Sequence, residues 1–422
     1  MAENNDEIRK EYKQFKKKQL NLNLERGWPC KEQLELSMPM LDLVNSGTEL
    51  CREVDYRGYD GTGGIQPIRE LFAEVFDVSS DQIYVGGTMS TTIMYDIVNR
   101  AVLFGFAGYK PWKDLDTVKI ICPSPGYEKH FKICQTYGIE MIPVKILEDG
   151  PDMDAIESMV LNDSSIKGIW CVPLYSNPTG TVYSDEVVTR LAGMKTAAED
   201  FRIFWDNAYC VHHLTEKKIS VKNIIHECQN CGYPDRVFEF ASTSKITFPG
   251  GGVGLCVSSK ANIEWLSQST LLQLKTGDKI NQLRHVLFLK DSAGLDAHMK
   301  KQRDIIGPKF DLVDRILHEQ LDGRNIAKWI NPKGGYFINL ELLPGMAKKT
   351  WRLCKEAGVS FTPAGSTFPY GLDPEDRYLR LAPTYPSMDE LKEAITLLCI
   401  AIKLAYADVY MQEGKGDGKN HG

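Results

Sequence analysis

The apolar positions of this chain change period several times, and the changes mark its elements. Residues 68–76 carry apolar side chains at helical spacing. A short apolar run at 82–85 reads as a strand. Gly86-Gly87-Thr88-Met89-Ser90 then turns the chain, and a second helical stripe runs over 92–104 through Ile93, Met94, Ile97, Val98, Ala101 and Val102. Further strand-like runs follow at 118–122, 140–144, 168–172, 202–205, 237–240 and 255–257, with helical spacing between several of them. This order predicts an α/β fold with a doubly wound, mostly parallel sheet. The last third changes character. A helical run at 304–321 leads to a strand over 334–340, a helix over 348–357, extended segments at 359–363 and 378–383, and an amphipathic helix over 388–406. That is a smaller α+β unit. Residues 1 to 50 read as a helical lead-in and a short extended segment that turns at Gly27 and Pro29.

Composition narrows the class. The 422 residues are 43% hydrophobic and 25% charged, as in an ordinary globular protein, and the formal net charge of −6 argues against a nucleic-acid binder held by a global positive field. A basic cluster near the start (Arg9, Lys10, Lys13, Lys16, Lys17, Lys18) alternates with Glu7, Glu11, Tyr12 and Phe15, which suits a solvated amphipathic helix better than a phosphate-binding arm. No apolar run reaches the length of a membrane span, and the polar N-terminus has no secretory core. Eleven scattered cysteines fit a reducing, cytoplasmic setting. Cys228-x-x-Cys231 lacks the second pair that zinc requires, so no metal site is expected. The Gly- and Lys-rich tail from Glu413 is expected to be disordered.

In doubly wound sheets ligands sit beyond the carboxyl ends of the strands. Here those ends carry Pro125-Gly126-Tyr127 with His130, Asn177-Pro178-Thr179-Gly180, Asp206-Asn207-Ala208-Tyr209, and Ser242-Thr243-Ser244-Lys245. Such a set points to one convergent site. A lysine at the mouth of a sheet is suited to covalent chemistry with a carbonyl cofactor. The strand–turn–helix at Gly86-Gly87-Thr88 offers N–H groups and a positive helix end to a phosphate, and the alternative is a tightly packed glycine turn. Arg380, between Leu379 and Leu381, is either a structural ion pair or a carboxylate clamp. The loop around Tyr56 and Tyr59 is glycine-rich and carries large polar aromatics.

Taken in order, Gly-Gly-Thr, Pro-Gly-Tyr, Asn-Pro-Thr-Gly, Asp-x-x-Tyr, Ser-x-Ser-Lys and the late Leu-Arg-Leu strongly resemble the fold-type I pyridoxal-phosphate aminotransferases of class I/II. The resemblance runs from Leu22 to the last helix. It is closest to the MocR-type branch with divergent aspartate aminotransferases, to which the run at 242–248 and Asn281-Gln282-Leu283-Arg284-His285 are similar. The resemblance implies a large cofactor domain (51–315) and a small domain built from both chain ends (1–50 and 316–422). It implies that Lys245 holds pyridoxal 5'-phosphate as a Schiff base and shuttles the substrate proton. Asp206 would pair with the pyridine nitrogen, with His130 behind it and Tyr127 stacked on the ring. Asn177 and Tyr209 would donate to the ring's phenolate oxygen. Gly86, Gly87, Thr88, Ser242 and Ser244 would hold the phosphate, and Tyr56 would reach the phosphate of the neighbouring subunit of a homodimer. Gly27 would let the backbone approach the substrate, and Arg380 would clamp its α-carboxylate. Aspartate is the expected donor and 2-oxoglutarate the expected acceptor, in a ping-pong reaction. Arg26 and Arg284 are candidates for the distal carboxylate.

One departure stands out. Fold-type I aminotransferases usually carry an arginine seven residues after the lysine, where Gly252 stands here; the divergent branch is expected to share this glycine, so its presence does not argue against catalysis. A lost charge-assisted contact is worth roughly 1.5–3 kcal/mol. Lys279 and Arg284 are the cations that could replace it. Other fold-type I chemistry (a β-lyase, a decarboxylase, or a transaminase for alanine or aromatic donors) uses the same lysine and aspartate. A ligand sensor of the same fold is a further alternative, although only about 20 residues precede the aminotransferase-like part.

Overall fold

The computed structural model describes residues 5–51, 54–59 and 61–411, so the tail expected to be disordered lies outside the described residues. An eight-stranded sheet lies at the centre of the described residues. Its spatial order is Ile83–Val85, Gly254–Val257, Val237–Ser242, Arg202–Asp206, Ile166–Cys171, Lys119–Ser124, Glu140–Leu147 and Gly150–Pro151. Gly254–Val257 and Gly150–Pro151 run against the direction of the other six strands. The architecture is therefore the expected α/β class.

The strands read as unbroken apolar runs because both faces are covered. Arg202–Asp206 is buried at every position. Successive residues still point to opposite faces. Ile169, Ile203 and Val237 join one apolar cluster, while Trp170, Phe204 and Phe238 join another across the sheet.

A third cluster gathers the chain ends. Ile8, Tyr12 and Leu24 pack with Phe310, Leu340, Phe361, Leu379 and the helix Met388–Tyr410. Leu22–Leu24 pairs in parallel with Val359–Phe361, beside an antiparallel sheet of Ala327–Trp329, Ile338–Leu342 and Tyr378–Leu381. The basic N-terminal helix Asn5–Lys17 buries Ile8 and Tyr12 and pairs Arg9 with Asp408 and Lys16 with Glu356. Its charges thus face solvent and neighbouring acids.

Two elements differ from the sequence pattern. The helix expected over 304–321 begins much earlier, at Ser292–Leu321, because the Asp291 carboxylate accepts from Gly294 N at 2.7 Å and caps it. The strand expected over 334–340 is Ile338–Leu342. Gly334 lies against the Tyr175 ring instead, so close that a Cβ would fall 2.1 Å from it. Among the described residues no helix is long and apolar enough to cross a membrane, and no cluster of His, Cys, Asp and Glu has metal-binding form.

Candidate active site

The strand Val237–Ser242 ends in a turn that carries Lys245. An elaborate polar network braces that turn. Val253 N donates to Thr243 Oγ1 at 2.8 Å. His285 Nε2 accepts from Thr243 Oγ1 at 2.9 Å and lies 3.0 Å from Thr247 Oγ1, while Nδ1 donates to Asn281 O at 2.8 Å. Burial pushes the imidazole down to about 4, so it stays neutral and can accept at one nitrogen while donating at the other. Asn281 Nδ2 donates to the carbonyls of Gly251 and Gly252, both at 3.1 Å. The Asn281–His285 run singled out in the sequence thus shapes the backbone behind the lysine.

Lys245 is half-buried, and its proton affinity is lowered first by desolvation; Asp206 opposes this, Arg380 adds to it and Glu128 opposes it more weakly. Its Nζ lies 5.0 Å from the centroid of the Tyr209 ring. Burial likewise holds the Tyr209 hydroxyl well above its ordinary value.

Lys245 faces an inner cavity of about 100 Å³ that is also lined by Asp206, Tyr127, Asn177, Tyr209, Ser242 and Ser244. These residues come from the ends of four different strands, as the sequence pattern predicts. At the foot of the site, Asp206 Oδ2 accepts from His130 Nε2 at 3.0 Å. His130 is stacked on Trp170, with centroids 4.2 Å apart and planes 6° from parallel. The other carboxylate oxygen, Oδ1, is buried and has no hydrogen-bond partner. The Ser242 and Ser244 hydroxyls are 2.8 Å apart.

The turn at Gly86, Gly87 and Thr88 does not line this cavity; Met89, Ser90 and Thr91 do, at the N-terminus of helix Ser90–Phe104. The glycines have another task. Gly86 N donates to Gly254 O at 3.0 Å, and a Cβ on Gly86 would lie 2.6 Å from the Tyr84 ring. Gly87 has φ +66°, a conformation that favours glycine. Close packing thus accounts for Gly86 and the left-handed turn for Gly87.

An outer cavity of about 450 Å³ adjoins the inner one, sharing Tyr127, Asn177, Tyr209, Ser244 and Lys245. Its walls include Gly27, Arg26, Glu128, Lys132, Phe337 and Arg380. Gly27 lies against Phe337, where a Cβ would fall 2.6 Å from the ring. Arg380 is 4% exposed in its side chain and lies over the Phe337 ring at 4.6 Å. Its Nε donates to Thr362 Oγ1 at 3.1 Å, and Nη1 to Asn177 Oδ1 at 3.2 Å. Glu128 takes a bidentate pair from the same guanidinium, at 2.6 Å and 3.1 Å. Burial alone would raise the Glu128 carboxyl, but the charge and hydrogen bonds of Arg380 outweigh it and hold the group below its usual range. Nothing in the local sequence marks Glu128, since its partner lies 252 positions away.

Three predicted residues lie elsewhere. Tyr56 and Lys279 line a separate cavity of about 890 Å³, and Lys279 Nζ donates to Asp55 O at 3.2 Å. Arg284 lines neither the inner nor the outer cavity, and its Nε is buried without a partner.

The inner cavity suits pyridoxal phosphate. The partnerless Asp206 oxygen is an acceptor for a ring N–H. A partly desolvated amine with lowered proton affinity is a nucleophile for a carbonyl. A helix N-terminus beside two hydroxyls suits a phosphate.

Comparison with known proteins agrees. The family model described as aspartate amino-transferase matches residues 1–414. An aspartate aminotransferase of Corynebacterium glutamicum is 40% identical over 96% of this chain and 94% of its own length. A crystal structure of an aspartate transaminase from Corynebacterium glutamicum superposes with a TM-score of 0.93 at 40% identity, covering 96% of each chain. The fold is also that of LysN, an α-aminoadipate aminotransferase from Thermus thermophilus solved with N-(5'-phosphopyridoxyl)-L-leucine, at a TM-score of 0.76, 21% identity and 95% and 96% coverage.

Proposed function

This chain belongs to the aspartate amino-transferase family and is a transaminase, and from that premise we propose that it moves the amino group of aspartate to 2-oxoglutarate by ping-pong exchange. The observation that carries this is the charge of the outer cavity. Arg380 lies in its wall, and Arg26, Lys129 and Lys132 line the same space, where these cations outnumber the carboxylates of Glu25 and Glu128. A dicarboxylate needs two cationic poles, and a neutral side chain would leave one of them unused.

Pyridoxal phosphate, when bound, supplies a carbonyl that condenses with amines and a ring that withdraws electrons from the substrate's α-carbon. Lys245 would hold it and act as the base, because desolvation lowers its proton affinity and frees the Nζ lone pair to take the α-proton. Asp206 would accept from the ring N–H through Oδ1, with His130 fixing the carboxylate from the other side. Tyr127 would lie on the ring face, and Asn177 and Tyr209 would donate to its phenolate oxygen. The N–H groups of Ser90 and Thr91, following the Gly86-Gly87-Thr88 turn, would hold the phosphate with Ser242 and Ser244. Arg380 would orient the α-carboxylate, Gly27 would give the substrate room beside Phe337, and Arg26 would take the distal carboxylate. The same reading makes the protein a cytoplasmic homodimer in which Tyr56 completes the neighbour's phosphate site. It divides the chain into a large domain at 51–315 and a small one at 1–50 and 316–422.

The test is a panel of donors with wild type and Arg26→Ala. Turnover with aspartate is expected to fall selectively. An equal loss with alanine would remove Arg26 from the distal clamp, and wild-type preference for a neutral donor would overturn the dicarboxylate reading.

A further inference from the structure

Glu128 already occupies the guanidinium edge that a substrate carboxylate would use. Its two oxygens accept from Arg380 Nη1 at 2.6 Å and Nη2 at 3.1 Å, which is the bidentate geometry of carboxylate recognition. Arginine has five N–H donors, and the rest are also engaged. Nε is on Thr362, Nη1 also reaches Asn177, and Nη2 reaches Glu25 O at 3.4 Å. The Phe337 ring covers one face of the guanidinium. Two carboxylates cannot share this edge.

We propose that Glu128 is a displaceable internal carboxylate on Arg380, which an incoming substrate carboxylate must push aside. The proposal rests on reading Arg380 as the α-carboxylate clamp. The two partners differ in freedom. The Arg380 side chain is 4% exposed and held on all sides, whereas Glu128 is 22% exposed at the start of helix Glu128–Thr136. Lys132 lies one helical turn further on, exposed and lining the same cavity. Glu followed by Lys at i, i+4 is the favourable order for a helical ion pair, so Glu128 has a second partner to turn to. Exchanging one carboxylate for another spares Arg380 from being buried without a counter-charge at any stage. The device also selects. An amine without a carboxylate cannot displace Glu128, while the competition lowers affinity for every carboxylate that can.

Succinate, an unreactive dicarboxylate, is the probe, titrated calorimetrically into the holoenzyme. Glu128→Gln keeps the shape and removes the charge. It is expected to bind succinate roughly tenfold more tightly than wild type, and Lys132→Ala several-fold less tightly. Succinate should also raise the unfolding midpoint of Glu128→Gln more than that of wild type, since stabilisation follows affinity. Unchanged or weaker binding by Glu128→Gln overturns the proposal and makes Glu128 a support for Arg380. If that variant does not fold, Glu128→Ala decides, and unchanged or weaker succinate affinity there overturns it. Arg380→Lys separates the two levels. Undiminished succinate binding in that variant overturns the clamp reading itself, whereas loss of binding there with no gain in Glu128→Gln overturns the displacement alone.

Discussion

Gly252 stands where the resemblance to fold-type I aminotransferases leads one to expect an arginine, and the structure shows what a side chain there would meet. An ideal Cβ falls 2.7 Å from Thr88 O, 2.9 Å from Ser244 Cα and 3.0 Å from Ser244 N. All three are backbone atoms, so none can swing aside. The Gly252 carbonyl is itself held by Asn281 Nδ2 at 3.1 Å, which resists movement of this segment. Gly252→Ala therefore forces a backbone shift, and overpacking of this kind costs typically 1–3 kcal/mol. The shift acts on Ser244, which lines the inner cavity, and on the turn before helix Ser90–Phe104. Urea unfolding of wild type and variant, compared at equal slope, reads the stability loss. Titration of the apoenzyme with pyridoxal phosphate reads the site, where the variant should bind more weakly. Gly252→Arg should be worse on both counts and should not act as a restoration. Equal stability and equal cofactor affinity in Gly252→Ala would refute the reasoning. Tighter cofactor binding by Gly252→Arg would refute it more sharply.

Other expectations follow from buried charges. Burial raises the Glu239 carboxyl from 4.5 to about 7, against a hydrogen bond from Asn207. The folded state then keeps this proton where the unfolded state has lost it, so the group's contribution to stability declines as pH rises from about 4.5 to 7 and stays low above. Glu239→Gln should be more stable than wild type at pH 8 by an amount on the order of 3 kcal/mol, with the gap closing at pH 5; a gap that does not change with pH would contradict this. Asp206→Asn keeps the bond to His130 but removes the charge at the foot of the site. It should lower kcat by roughly 100-fold or more, with partial recovery in Asp206→Glu; wild-type turnover in the Asn variant would show that the charge plays no part.

Much of this site was legible because it is built at strand ends. Strands buried on both faces announce themselves as apolar runs, and the residue types that follow them (Tyr127, Asn177, Asp206, Lys245) do line one cavity. What the sequence hid depends on distance along the chain. Glu128 meets Arg380 across 252 positions, and neither neighbourhood carries a pattern that joins them. The bracing role of His285 depends on a helix, Lys279–Leu289, that packs behind the lysine turn and has only a weak apolar stripe. The glycines at 86 and 87 were legible as a turn, but their sequence cannot distinguish a turn that touches a ligand from one that makes room for Tyr84. Tyr56 sits in a different cavity within one chain, so its role waits on how two chains meet.

The central claim is that Lys245 carries the cofactor in the cavity above Asp206. Borohydride reduction of the purified, yellow protein followed by peptide mass mapping tests it directly. The account predicts bleaching and a phosphopyridoxyl group on the peptide that contains Lys245. A colourless protein that binds no pyridoxal phosphate, or a modified lysine elsewhere with Lys245 intact, would contradict it.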